Sequence, residues 1–261
     1  MDIQLDTSLD DFHTPSRIQG QRLELDALHL LHRFGWLRAR EVGILLYSSS
    51  NQSRTLAERL LRRLVEKRQI FFRPLQGEND SKHARAYLLG QAGADRLWEV
   101  RGIDAWTSKD ITISSTWLHD LIAHQILAKW KNKGFQIVTG RELHRRTRSG
   151  MKIPDGLAKP PGQDWIWLEV ERSRKSGPAI HKQAKYLAGA ALGMEWLGYQ
   201  LGRAVVAYPE TPGVNHRLRN ISALSKLSAP SPFKVIFFPL KIHPLTLVVQ
   251  FGQAEEITIE P

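Results

Sequence analysis

One stretch of the chain, Met151 to Tyr186 (MKIPDGLAKPPGQDWIWLEVERSRKSGPAIHKQAKY), carries acids at spacings that could bind a divalent cation. Asp155 follows Pro154, and two further carboxylates, Glu169 and Glu171, close an alternating run that starts at Trp165. Read as a strand, that run puts Trp165, Trp167, Glu169 and Glu171 on one face and Ile166, Leu168 and Val170 on the other. The two glutamates then stand about 7 Å apart along the strand. Neighbouring carboxylates repel and raise each other's pKa unless they share a cation, so the spacing predicts a divalent-metal site. Lys175, Lys182 and Lys185 follow closely and are candidates to offset charge on a bound anion.

Holding such a site requires a core, and the composition allows one. The chain has 261 residues, 42% of them apolar, enough for one large domain or two small ones. It has no cysteine, which excludes disulfides, thiolate zinc sites and cysteine nucleophiles and agrees with a reducing cytoplasm. No run approaches twenty apolar residues, and the N-terminus MDIQLDTSLDDFH is acidic, so neither a membrane span nor a secretory signal is expected. A net charge of +11 and a pI near 10.0 point to a polyanionic partner, nucleic acid or an anionic membrane surface. Basic clusters at Arg54, Arg59, Arg62 and Arg63, at Lys129, Lys131 and Lys133, at Arg141, Arg145, Arg146 and Arg148, and at Arg172, Arg174 and Lys175 flank the carboxylates. A polyanion crossing the site would account for them; so would solvated helix faces.

In chain order, residues 1–20 are polar and aperiodic and read as a flexible tail. Helices are expected from Leu23 to Gly35, from Leu37 to Tyr47, opened by Trp36, and from Ser53 to Lys67 with Ser53 as N-cap. In the third, Leu56, Ala57, Leu60, Leu61, Leu64 and Val65 share one side, with Thr55, Arg59, Arg62 and Arg63 opposite. Strands at Gln69 to Leu75 and His83 to Leu89, joined by the polar turn Gln76 to Asp80, and a helix from Gln91 to Arg101 complete residues 21–105. Three helices and a hairpin form the layout of a winged helix-turn-helix, in which Arg54, Thr55, Arg59, Arg62 and Arg63 would meet DNA. Arg145, Arg146 and Arg148 would add contacts from a later basic loop, and the same layout also serves protein–protein modules.

Beyond a linker at Gly102 to Lys109, residues 106–261 read as a second domain and the whole as a mixed α+β chain. The expected elements are a helix from Ser114 to Lys131, strands at Phe135 to Leu143, Lys152 to Leu157 and Asp164 to Glu171, and an alanine-rich helix from Pro178 to Leu201. A strand at Arg203 to Tyr208, a helix at Asn215 to Leu227 and strands at Phe233 to Phe238 and Leu245 to Phe251 end the chain.

The order α, β, β, β, α, β, with one acid after a proline and an acid pair in the next strand, resembles the PD-(D/E)XK nuclease superfamily. Asp155 matches the first acid and Glu169 the second; Glu171 stands where that pattern usually has lysine. From Leu23 to Phe251 the chain is similar to the replication-relaxation family of bacterial mobile elements and the MOB-C type of plasmid relaxase. The residues that carry this are RTLAERLLRRLVEKRQIFFR, ARAYLLGQAGADRL, GREL, IPDG and WLEVERS. The resemblance implies a winged helix followed by a restriction-endonuclease-like αβββαβ domain in the bacterial cytoplasm. It further implies an endonuclease or nickase acting at a transfer origin or replication site, with Mg²⁺ or Mn²⁺ held by Asp155 and Glu169. Glu171 would help activate a water and Lys175 would supply a cation. Accessory candidates are Glu142 on the first strand, His119 and Asp120 on the preceding helix, and Lys182, Gln183 and Tyr186 on the following one. Each also reads as a surface or packing residue. The expected partner is double-stranded DNA, with a partly single-stranded target, a homodimer and other transfer or replication proteins left open. A second reading, favoured by Glu171 at the lysine position, is a non-catalytic DNA-binding accessory or replication-control protein with a nuclease-like scaffold. A restriction- or transposition-type endonuclease is a third.

Overall fold

The first two helices carry apolar faces that must be covered, and the chain folds them against each other and against the elements that follow. The structure, a computed structural model, describes residues 16–48, 50–75, 85–107, 109, 113, 116–172, 175, 177–210 and 215–261. Its first part runs α1 (Ser16–Phe34), β1 (Trp36–Leu37), α2 (Ala39–Tyr47), α3 (Ser53–Glu66), β2 (Ile70–Pro74), β3 (Arg85–Leu89) and α4 (Gln91–Arg101). The strands form an antiparallel sheet in the order β1-β3-β2.

Several local expectations change here. Helix α1 begins at Ser16, so residues 16–20 are helical, while the rest of the expected tail lies outside the described residues. Trp36 and Leu37 pair with Leu88 and Tyr87 as a strand and do not open α2. That helix starts after Arg38, whose backbone N–H donates to Glu41 Oε2 at 3.2 Å. Ser53 is the first residue of α3 and not its cap; its hydroxyl donates to the Ser50 carbonyl at 2.8 Å. Leu56, expected on the apolar side, is exposed. The hairpin tip falls in residues 76–84, outside the described residues. Glu24 is buried on α1 and takes ion pairs from Lys67 (2.8 Å) and Arg96 (2.9 Å), tying α1 to the end of α3 and to α4.

The second part runs α5 (Trp117–Asn132), β4 (Gln136–Thr139), α6 (Gly140–His144), β5 (Gly156–Lys159), β6 (Trp165–Val170) and α7 (Gly177–Ala191). It continues with β7 (Glu195–Trp196), β8 (Tyr199–Pro209), α8 (His216–Leu224), β9 (Phe233–Ile242), β10 (Val249–Phe251) and β11 (Glu255–Ile259). The main sheet has the order β4-β5-β6-β8-β9-β10, with β11 also on β9 and β7 on β8. β4, β5 and β6 pair antiparallel, whereas β6, β8 and β9 pair parallel. The fold of the described residues is therefore mixed α+β, with eight helices.

Several expected boundaries move. The first strand stops at Thr139 because Thr139 caps α6: its Oγ1 accepts from Glu142 N–H (3.2 Å), and Glu142 Oε2 accepts from Thr139 N–H (2.8 Å). Lys152 to Pro154 stays outside the second strand, since proline has no N–H to donate, and pairing begins at Gly156. The alanine-rich helix ends at Ala191, ten residues early. Gly193 takes a left-handed conformation at φ 88°, and the next residues turn into the β7–β8 hairpin. Strand β11 was not anticipated.

The main sheet separates two apolar clusters. Leu157, Trp167, Val206 and Phe237 pack with Ala184, Leu187 and Leu224 of α7 and α8. On the other face Ile166, Leu168, Val170 and Val205 join Ile122, Ile126 and Leu127 of α5, and this cluster continues without a break into Leu28, Leu31, Leu60 and Leu61. The first part is thus built onto the second. Arg38 strengthens the joint, donating to the carbonyls of Thr246 (3.1 Å) and Leu247 (3.2 Å). Among the described residues no helix is long and apolar enough to cross a membrane.

Candidate functional site

Glu169 sits on β6 at the centre of the main sheet, where the alternation of WIWLEV puts Trp167 and Glu169 towards α7 and Leu168 and Val170 towards α5. Its side chain is buried, with the residue 1% exposed. A buried carboxylate is costly unless paired, and two ammonium groups meet one of its oxygens. Lys152 Nζ lies 2.7 Å and Lys175 Nζ 2.8 Å from Glu169 Oε1. Oε2 is buried with no hydrogen-bond partner. Burial and the charge of Asp155 raise the Glu169 pKa, and the two lysines offset this only in part.

Asp155 enters this cluster from the mouth of β5. Its N–H donates to the Leu168 carbonyl (3.0 Å), and its Oδ2 accepts from Val170 N–H (2.6 Å). Both bonds extend the β5–β6 pairing by one residue and set Asp155 across from Glu169. The next residue must be small: a Cβ on Gly156 would stand 2.8 Å from a methyl of Leu127, so glycine lets β5 lie close against α5. His119 of α5 completes this side, with Nε2 at 3.3 Å from Asp155 Oδ2 and 3.1 Å from the Val170 carbonyl. Its Nδ1 lies 3.4 Å from Asp120 Oδ1. Burial works against charge on the imidazole, but Asp120 and Asp155 outweigh it and push the pKa up to about 10. Burial likewise pushes the Asp155 carboxyl up, and His119, Lys152 and the Val170 N–H bring it below its ordinary value.

Glu171, just past β6, is buried and anchored through its N–H to the Ala207 carbonyl (2.8 Å). Its Oε2 accepts from Gln183 Nε2 (2.9 Å) and pairs with Lys175 Nζ (3.1 Å). Lys175 also donates to Gln183 Oε1, so its three donors meet Glu169, Glu171 and Gln183. Burial disfavours its charge, but the two glutamates hold its pKa above the ordinary lysine value. Gln183 reaches on to Asn220 of α8 (2.9 Å), a buried link with no counterpart in the sequence reading.

The structure thus brings together Asp155, Glu169, Glu171, Lys175, His119, Asp120 and Gln183. It separates others. Lys182 turns away to the Gly150 carbonyl (2.7 Å), Lys185 is exposed, and Tyr186 stacks on Trp167 with ring centres 5.5 Å apart. Glu142 is used in the α6 cap and in an ion pair with Arg33 (2.8 Å). Besides Asn220, sequence reasoning missed Lys152. Its partner lies seventeen positions away, and the one available signal was its place three residues before Asp155 in an extended segment.

The donors suit a hard cation: Asp155, the orphaned Glu169 Oε2 and the Val170 carbonyl are all oxygens. Among the described residues no three His, Asp or Glu side chains form a complete metal-binding set; Mg²⁺ takes one or two carboxylates and fills its shell with water and phosphate oxygen. Asp155, His119 and Asp120 line a cleft of about 500 Å³ together with Trp106, Arg141, His144 and Arg145. On the first part of the chain, Thr55, Arg59, Arg62 and Arg63 are exposed along α3, and Arg54 pairs with Glu58 at 2.8 Å. Arg145 packs on Trp106, Arg146 donates to the Tyr199 hydroxyl (2.7 Å), and Arg148 is exposed. Compared with protein-family models and with curated proteins, the chain matches none.

Proposed function

We propose that the chain is a metal-dependent DNA endonuclease or nickase, with a winged helix-turn-helix in its first part and a nuclease-like αβββαβ unit in its second. The observation that carries this is the buried Glu169 beside Asp155, with two lysines on one of its oxygens and none on the other. A lysine two residues after the second acid is replaced here by Glu171, and Lys175 and Lys152 bring the missing positive charge from outside the strand. The order α5-β4-α6-β5-β6-α7-β7-β8, with β4, β5 and β6 antiparallel and β6 parallel to β8, supports the same reading. So does the row of exposed arginines on α3, which suits the phosphate backbone.

Asp155, Glu169 and the Val170 carbonyl would hold Mg²⁺ or Mn²⁺, which when bound supplies Lewis acidity toward a phosphate oxygen. The chain's own residues do the rest. Lys152 and Lys175 place positive charge where a phosphate's charge grows during displacement. Glu171 and Gln183 fix the Lys175 ammonium, so Glu171 acts by orienting a cation and not by activating water. His119 supplies a proton-bearing nitrogen beside Asp155 at the cleft. The target is proposed to be a transfer origin or replication site of a mobile element, reached by recognition through α3.

Asp155→Asn and Glu169→Gln are each expected to lower Mn²⁺-dependent nicking of supercoiled plasmid carrying the chain's own genetic region by about 100-fold or more. Duplex binding should persist. Nicking at the wild-type rate by either variant would refute the assignment. The second reading, a non-catalytic DNA-binding scaffold, is favoured by one observation: Asp155, Glu169 and Glu171 are already faced by His119, Lys152 and Lys175. Calorimetric titration with Mn²⁺ separates the two, since a scaffold would take up no ion that Glu169→Gln abolishes.

A further inference from the structure

The cleft beside Asp155 is also lined by an exposed aromatic ring. Trp106, on the segment after α4, is 42% exposed there. Two guanidiniums lie against its ring: Arg141 with Cζ 5.0 Å and Arg145 with Cζ 4.2 Å from the centroid. The arginines are four residues apart across α6, and the Thr139–Glu142 cap that opens this helix, pinned to α1 by Arg33, fixes their position. The cleft is therefore lined both by an aromatic ring with two cations and by the carboxylate of Asp155.

An open indole next to paired guanidiniums suits a planar, electron-rich ring joined to an anion, because stacking and cation–π attraction take the ring while the cations take the charge. A nucleotide has both parts. The volume, about 500 Å³, is that of a small-ligand site, and a base inside a duplex, stacked on both faces, has none to offer an indole until it leaves the stack. We infer that Trp106, Arg141 and Arg145 form a subsite for one unpaired nucleotide, its base stacked on Trp106, its phosphate held by the guanidiniums, and the strand continuing toward Asp155. This rests on the reading of the chain as a DNA-cleaving protein and names its substrate more closely: a strand locally single-stranded at the cleft.

The test is fluorescence anisotropy in EDTA, so that binding is read without cleavage. The probes are a labelled single-stranded oligonucleotide of about 12 nucleotides, the same strand made abasic, and the matching duplex. Trp106→Ala is expected to weaken single-strand binding about tenfold or more, Trp106→Phe to retain most of it, and duplex binding to stay unchanged. Wild-type protein should bind the abasic strand about tenfold or more weakly than the intact one, an arm that stands even where the alanine variant does not fold. Equal affinity of the wild type for intact and abasic strands, unchanged single-strand affinity in Trp106→Ala, or an equal loss on duplex would overturn the subsite. Cleavage by Asp155 is judged separately by nicking, so either claim can fail while the other stands.

Discussion

Lys175 is the residue on which the buried cluster depends, because one ammonium serves two carboxylates and an amide. Removing it leaves Glu169 to Lys152 and Glu171 to Gln183 alone. Breaking a buried ion pair from one side costs about 3–5 kcal/mol, so Lys175→Met is expected to destabilise the fold by about 3 kcal/mol in urea denaturation. Lys152→Met should cost less, about 1 kcal/mol, because Lys175 still pairs with Glu169. Equal losses would show that the load is shared. At this scale the acids were legible from the sequence: alternation through Glu169 set it on a strand, and Asp155 stands one residue before the strand paired with it. Lys152 and Asn220 were not, because their partners are reached by packing across sequence distances that no local period encodes.

Helix α6 shows how an element can be missed although its signal is present. The run T-G-R-E is a capping box, a threonine followed three residues later by glutamate, yet the apolar alternation upstream favoured a longer strand. Thr139→Ala removes the cap and the bond from its hydroxyl to the Arg33 carbonyl (2.7 Å). The expected cost is about 1–2 kcal/mol in chemical denaturation, with Thr139→Ser restoring most of it. Identical stabilities for the alanine and wild-type proteins would mean that packing alone holds α6. The opposite error occurred in α7. Alanine and leucine carry helical periodicity past Ala191, but Gly193 and the strand pairing of Glu195 and Trp196 with β8 override it.

Across the whole molecule the two parts meet at His124. It lies on α5 with its ring edge-on to Phe34 (5.2 Å) and Trp36 (4.9 Å) of the first part. Burial lowers its pKa to about 4; Asp120 and Glu41 oppose this, and His119 and Arg38 add to it. The unfolded chain therefore binds a proton near pH 6.5 that the folded chain refuses until about pH 4. Stability from this residue is present above pH 6.5 and is lost as the pH falls toward 4, by up to about 3 kcal/mol. His32, held down by burial and Arg145 to about 4, adds to the same slope. His124→Phe should flatten the acid limb of stability against pH without abolishing it, and an unchanged slope would remove His124 as a cause. Because one apolar cluster spans both parts, urea unfolding followed by tryptophan fluorescence and by circular dichroism should coincide in one transition. The sequence by itself determined the local elements and the acidic stretch, because side-chain period and proline placement act over a few residues. Only the tertiary structure decided that Lys152, Lys175 and His119 surround Asp155 and Glu169, and that Trp106 faces Arg141 and Arg145. Those meetings follow from burial, since a carboxylate taken out of water must find its counter-charge wherever the packed chain presents one.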